Sequence, residues 1–468
     1  MKKFFDSGRK RELLSLEKLY ARDEFAFAVV YGRRRVGKTS LIDEFIMRGE
    51  KKAIRFIATE NTDTVNLLSF SQAVFAVYPE SSAFGSFPDW ESAFVYIAKH
   101  SNGEKVIVEI DEYPYLAKAR PAISSMLQKS IDRVFQDTKL MLILCGSSMS
   151  FMEYQVLGYQ SPLYGRRTAQ YRIMPLDYYD SAEFFGDADL KDKLLGYAVT
   201  GGIPQYLKVI ARAESVEVGI DEAFFTKDGY LYEEPQNLLK QELREPALYN
   251  AIIAAIATGA TKLNDIATKV REDDSKIAKY IKNLTDLGII EKETPIFSEG
   301  GRNGVYCIKD NMYRFWYRFV PNAVTLIENG NEYIYEKKVK PFLSDYMGRV
   351  FETVCKQYLL RLNAEEKLPF LFEKIGRWWG GNPITKKETE IDLIAADKNN
   401  MIICECKWQN EELGLKVYKD LKEKTAMFAD KEIYYYLFSK SGFSSGLKEE
   451  AKKNDGLTLV TVEDLFCV

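Results

Sequence analysis

The chain has 468 residues, 65 of them lysine or arginine and 68 aspartate or glutamate, with a single histidine. That length predicts about three domains of ~150 residues, and a net charge of −3 excludes a bulk electrostatic footprint for nucleic acid while leaving local patches open. One histidine excludes HExxH, Cys2His2 and His-rich metal sites; His100 precedes a polar turn, as surface histidines do, so chemistry falls to carboxylates, Lys, Arg, hydroxyls and oxygen-held metals.

Residues 25–31 (FAFAVVY) read as a buried strand that runs into GRRRVGKTS and then the amphipathic LIDEFIMRG. In this strand–loop–helix context Gly32, Gly37, Lys38 and Thr39 fit the P-loop pattern GxxxxGK[ST]. The glycines let the loop, with Arg35 and Val36, curl so that successive N–H groups face a β-phosphate, and the helix N-terminus at Ser40 adds partial positive charge. Lys38 is expected to reach the β- and γ-phosphates of ATP, and Thr39 to ligate Mg²⁺.

KVIVEIDEYPYL supplies the metal-side partner: a β-rich run over 106–110 ends in Asp111, expected to hold Mg²⁺ through water, and Glu112, expected to polarise the attacking water as general base. Glu109 shares a strand face with Asp111 by period two, either supporting the metal site or lying at a surface edge. A third strand, 140–145, ends in GSSMSF and puts Ser147 or Ser148 beside the expected γ-phosphate. SPLYGRRTAQYRIMPL carries Arg166 and Arg167 in a glycine-led turn. Arg166 there either neutralises a transferring phosphoryl group, in cis or from a neighbouring subunit, or makes a surface salt bridge. TGGIPQYLKVI, residues 200–210, reads as a hinge that opens a helix.

Phe5, Arg9, Glu12 and Leu13, then GRRRVGKTS, IDEYPYL, the serine strand tip, SPLYGRR and GGIPQYL, resemble in this order the archaeal-type ATPase family of the AAA+/STAND group. The resemblance covers residues 1–235 and departs from the family in one extra residue before Arg9. It implies an α/β AAA+-like P-loop core over 1–175, a helical lid over 176–238, Mg-ATP as ligand and switching coupled to hydrolysis.

Residues 239–310 change to short helices followed by a β-wing, a winged-helix pattern. Asp274 starts its third helix and Gly288 stops it; Ile277, Ile281 and Leu284 form an apolar face, and Lys276, Lys279 and Lys282 a basic line, as a recognition helix needs. Residues 240–310 nevertheless balance 11 basic against 11 acidic side chains, so DNA reading and a spacer or protein-docking role both stand. Residues 311–340 read as a helix and connector.

The last segment, 341–468, carries a helix bearing Glu352, then ETEIDLIAA, a turn and MIICECKW. Period two puts Glu390 and Asp392 on one face of the first strand, and Glu405 and Lys407 on one face of the second, opposite Cys404 and Cys406. A hairpin through Asp397 to Asn400 then brings Asp392, Glu405 and Lys407 together. This resembles the PD-(D/E)XK nuclease motif, with EID in place of PD and Glu352 matching that fold's extra helix acid, and so implies an α/β restriction-endonuclease-like domain. Asp392 and Glu405 with Glu352 or Glu390 would hold Mg²⁺ or Mn²⁺, and Lys407 would orient or help deprotonate the water, or stabilise developing charge. GRWWGGNPITKK pairs Trp378 and Trp379 with Arg377, Lys386 and Lys387, either a nucleic-acid contact or an aromatic core corner.

The expected whole is an ATP-driven switch acting through its nuclease-like domain on nucleic acid, DNA favoured, with a homo-oligomer or protein partner open. The alternatives are a non-cleaving signalling or scaffold ATPase and a DNA-binding regulator with little catalysis. Six cysteines without CxxC suit a reducing cytoplasm, and no apolar run approaches the ~18 residues of a membrane span.

Overall fold

The computed structural model describes residues 8–80, 85–101, 103–298 and 303–467. The chain divides into two compact units, Met1–Pro175 and Leu176–Val468. Among the described residues no helix is long and apolar enough to cross a membrane.

In the first unit, helix α1 (Lys10–Tyr20) precedes a five-stranded parallel sheet of β1 (Ala26–Tyr31), β2 (Ala53–Ile57), β3 (Ile107–Asp111), β4 (Met141–Gly146) and β5 (Ala169–Arg172). The order is β2-β3-β4-β1-β5. Strands β1, β3 and β4 are buried along their whole length, which is why they read as unbroken apolar runs: helices cover both faces of a parallel sheet. Helix α2 (Lys38–Met47) follows β1 directly, while α3 (Asp63–Val77) and α4 (Trp90–His100) build an aromatic core. Phe70 and Trp90 pack at 5.1 Å between ring centroids, and the Trp90 indole donates to Asp63 at 2.8 Å, so the buried N–H is satisfied. His100 ends α4 stacked on Tyr96 at 4.0 Å, away from the strand tips that carry the phosphate motifs.

Near the start of the second unit, α5 (Leu190–Thr200) and α6 (Pro204–Ile210) are joined through Gly201 and Gly202. Farther along the chain lie the helices α7 (Pro246–Ala257), α8 (Leu263–Val270) and α9 (Asp274–Asp286), then the antiparallel ribbon of β6 (Ile290–Glu293) and β7 (Val305–Ile308). Helix α9 buries Ile277, Ile281 and Leu284, while Lys279 and Lys282 are exposed and Lys276 pairs with Glu272. Helix α10 (Asn311–Phe319) leads to the long α11 (Leu343–Ala364).

The closing sheet comprises β8 (Lys374–Gly381), β9 (Glu388–Ala396), β10 (Asn400–Lys407), β11 (Glu432–Ser439) and β12 (Leu457–Thr461), in the order β12-β11-β10-β9-β8. β8, β9 and β10 are antiparallel neighbours, whereas β10, β11 and β12 run parallel, with α12 (Leu415–Thr425) in the crossover. Edge strand β8 is bulged between Gly376 and Trp378 and is met at that point by the segment that follows β6: Ile296 N–H donates to the Arg377 carbonyl at 2.9 Å and its side chain packs onto the sheet's core. An unpaired sheet edge is thereby capped within the chain.

Candidate functional sites

The loop after β1 is shaped by backbone geometry before any side chain acts. A Cβ at Gly32 would collide with the Ile173 carbonyl oxygen, so glycine alone lets the strand exit pass this close. Arg35 and Gly37 take left-handed conformations, φ 69° and 90°, and curl the loop ahead of α2. Ser40 lies in the first turn of α2. Lys38 Nζ folds back to donate to the Gly32 and Arg33 carbonyls at 2.9 and 3.1 Å. Burial pushes its pKa down, with Cys145, Glu112 and Asp111 pulling the other way and Arg34 adding to the depression. A buried, poorly solvated ammonium gains most from an anionic partner.

Thr39 Oγ1 donates to Asp111 Oδ2 at 3.0 Å. A hydroxyl and a carboxylate oxygen side by side are a hard donor set that suits Mg²⁺. Glu112 takes a left-handed backbone, φ 50°, and its carboxylate accepts Ser147 Oγ at 2.9 and 3.1 Å, so Ser147, not Ser148, makes this contact. Glu109 is not a surface-edge residue; it is buried and bound by Arg55 Nε at 2.6 Å, and Arg55 also reaches Asp43 of α2. Of the two readings for Arg166, the structure forms the ion pair: the guanidinium is bidentate to Asp132 at 2.7 Å for both bonds and also donates to the Pro162 and Tyr164 carbonyls. Phe5 lies outside the described residues.

Two arginines beside the loop have roles the sequence does not announce. Arg9 is buried, and its Nη2 donates to the Val36 carbonyl at 3.1 Å and the Met174 carbonyl at 2.6 Å, bracing the P-loop from beneath. Arg34 Nη2 donates to the Tyr115 hydroxyl at 3.1 Å and Nη1 lies 3.9 Å from Glu112 Oε1. For Arg9 the signal available was its place in the N-terminal group Phe5, Arg9, Glu12 and Leu13, and for Arg34 only an arginine at a variable P-loop position and a tyrosine three residues after Glu112.

In the second unit the β9–β10 hairpin does assemble part of the expected cluster. Lys407 Nζ lies 2.6 Å from Glu405 Oε1 and 3.6 Å from Asp392 Oδ2, and Asp392 Oδ2 accepts the Cys406 N–H at 2.8 Å. Lys424 of α12 stands 3.9 Å from Glu405 Oε2. Burial works against charge on Lys407, but Asp392 and Glu405 outweigh it and raise its pKa.

Glu352 differs from expectation. Its carboxylate is held by Arg349 at 2.7 Å and Arg377 at 3.2 Å. Arg377 also binds Glu390 and, at 3.2 Å, Glu293 of β6, which meets Arg349 at 2.5 Å. Two guanidiniums thus neutralise the acids expected to complete a metal site, and among the described residues no group of three or more His, Cys, Asp or Glu is arranged to hold a metal ion. Trp378 packs edge-on against Phe428 and Arg377 lies over Trp379, a core corner, while Lys386 and Lys387 are exposed.

Comparison with known proteins fits this geometry. Residues 4–210 match an ATPase domain predominantly from Archaea, and residues 316–425 match a family of archaeal and bacterial proteins of unknown function. The chain is 35% identical to the uncharacterized protein MJECL04 of Methanocaldococcus jannaschii over 468 residues, 97% of this chain and 99% of that one. It is 40% identical over 55 residues to the uncharacterized protein MJ0424 of the same organism, 12% of this chain and 53% of that one. Among solved structures, the Walker-type ATPase paby2304 of Pyrococcus abyssi shares the fold with a TM-score of 0.53 at 20% identity, over 66% of this chain and 95% of that one.

Proposed function

Since the chain belongs to the same family as the M. jannaschii protein MJECL04 and carries an ATPase domain of the predominantly archaeal kind, we propose that it binds and hydrolyses Mg-ATP at Gly32–Ser40 and uses the cycle to reposition a winged helix and a nuclease-like domain on nucleic acid, DNA by preference. The observation that carries the ATP reading is the convergence of Lys38, Thr39, Asp111, Glu112 and Ser147 on one loop. Lys38 exchanges its two loop carbonyls for phosphate oxygens, a trade favoured by its burial. Thr39 and Asp111 are the residues that would hold Mg²⁺, which supplies positive charge to the phosphates. Glu112, oriented by Ser147, accepts a proton from the attacking water. The test is nucleotide affinity and turnover of Lys38→Ala and Glu112→Gln: the first should lose binding, the second should bind ATP and hydrolyse it ~10²–10⁴-fold more slowly. Unaltered hydrolysis in both would sink the assignment.

The nuclease reading rests on Asp392, Glu405 and Lys407 meeting at the hairpin. Labelled single- and double-stranded DNA and RNA, with Mg²⁺ or Mn²⁺, should be cut by the wild type and not by Asp392→Ala or Lys407→Ala. Cleavage surviving in both variants points away from this site. A second reading, a non-cleaving scaffold ATPase whose C-terminal domain binds a protein, is favoured by the neutralisation of Glu352 and Glu390 by Arg349 and Arg377. No cleavage by the wild type under any of these conditions would select it.

A further inference from the structure

We propose that Arg34, within the P-loop itself, is a catalytic residue that contacts the γ-phosphoryl group in the hydrolytic transition state, so that the charge otherwise expected from a finger arginine comes from the same chain. This rests on the ATPase reading above. Two neighbours locate the guanidinium: Nη1 lies 3.9 Å from the Glu112 carboxylate and Nη2 donates to the Tyr115 hydroxyl at 3.1 Å. Arg34 therefore stands beside the base that must face the attacking water, on the same loop whose Gly32 and Arg33 carbonyls hold Lys38.

The distances make contact with the reacting group a matter of side-chain rotation. A general base works within about 3 Å of the water it deprotonates, and that water sits about 3–3.5 Å from the phosphorus it attacks. A guanidinium already beside the base has the γ-phosphoryl oxygens within reach, and the Arg34 side chain is partly exposed. Arg166, the alternative cation, has its guanidinium committed to Asp132 and two backbone carbonyls.

In the step, the water oxygen bonds to the γ-phosphorus while that atom's bond to the β–γ bridging oxygen breaks. The electron pair of the broken bond leaves with ADP and the water proton passes to Glu112, giving ADP and inorganic phosphate. Charge accumulates on the γ-phosphoryl and bridging oxygens, and a guanidinium can meet two of them at once.

The test uses the full chain carrying Arg34→Ala or Arg34→Gln, the glutamine keeping most of the side-chain length without charge. We measure ADP affinity, ATP turnover at several protein concentrations, and trapping of ADP with aluminium fluoride and Mg²⁺. The expected result is wild-type ADP affinity, a kcat lower by about 10³-fold or more, no trapped complex, and a wild-type rate per chain independent of protein concentration. A wild-type kcat in Arg34→Gln, a loss confined to KM, or trapping that survives in both variants overturns the assignment, the last because a residue that merely orients Glu112 would leave the trapped complex intact. Loss of ADP binding in both variants overturns it too, by making Arg34 a part of the loop's framework. Failure of the ATPase reading is distinguishable, because the wild type itself would then neither bind nor hydrolyse ATP.

Discussion

Replacing Arg9 by methionine removes the brace under the P-loop while keeping an unbranched apolar stem in its place. The guanidinium is only 4% exposed, its Nη2 donates to the Val36 and Met174 carbonyls, and Nη1 lies 3.6 Å from Glu12. Two charge-assisted hydrogen bonds at ~1.5–3 kcal/mol each, less the desolvation that a buried guanidinium no longer suffers, leave a net loss of about 2–4 kcal/mol. For a unit of this size each kcal/mol moves Tm by ~2–4 °C, so the transition of the first unit should fall by roughly 4–16 °C. Calorimetry of the full chain with and without ADP identifies that transition as the one nucleotide raises. ADP affinity should fall with it, because the Val36 carbonyl loses its anchor. An unmoved transition refutes the reasoning. So would an unmoved transition combined with lost discrimination between ATP and GTP, which would put Arg9 at the base and not beneath the loop.

Other expectations follow from the second unit. Gly202→Ala should cost at least ~2 kcal/mol, since φ is 73° and a Cβ would strike the Leu176 carbonyl oxygen whose own N–H donates to Gly202; an unchanged Tm in thermal unfolding would refute the clash. Burial raises the Glu352 pKa despite Arg349 and Arg377, so the folded state binds that proton more tightly than the unfolded chain. Its contribution is therefore fully present below the ordinary glutamate value of about 4.3 and is lost as pH rises through the raised folded value. Glu352→Gln should remove this slope in Tm against pH, and an identical slope in both proteins would exclude the assignment. Ile296→Asp places an unpaired carboxylate against the closing sheet's core and should release the segment after β6 from β8. Hydrogen exchange should then accelerate in residues 374–381, and unchanged protection there would count against the contact.

The P-loop was legible because its chemistry is local. Strand, loop and helix are contiguous in sequence, and Gly32, Gly37, Lys38 and Thr39 need only their own spacing to surround a phosphate. Asp111 and Glu112 were legible as the polar end of an apolar strand, and Asp392, Glu405 and Lys407 because a short hairpin and period two settle which side chains share a face. Glu109 shows where such patterns stop: its face was readable, but Arg55, which neutralises it, sits on a strand 54 residues away in sequence.

What the sequence determined by itself is therefore the kind of chemistry: with one histidine, both candidate sites rest on carboxylates, lysine, arginine and hydroxyls. Tertiary structure alone decided which cations meet which acids. Arg9 reaches Met174 across 165 positions, Arg34 meets Glu112 across the sheet, Arg349 and Arg377 both reach Glu293, and Arg377 also takes Glu352 from another element. Long, flexible guanidinium side chains carry no register of their own, so their partners follow from packing and burial, which no local spacing encodes.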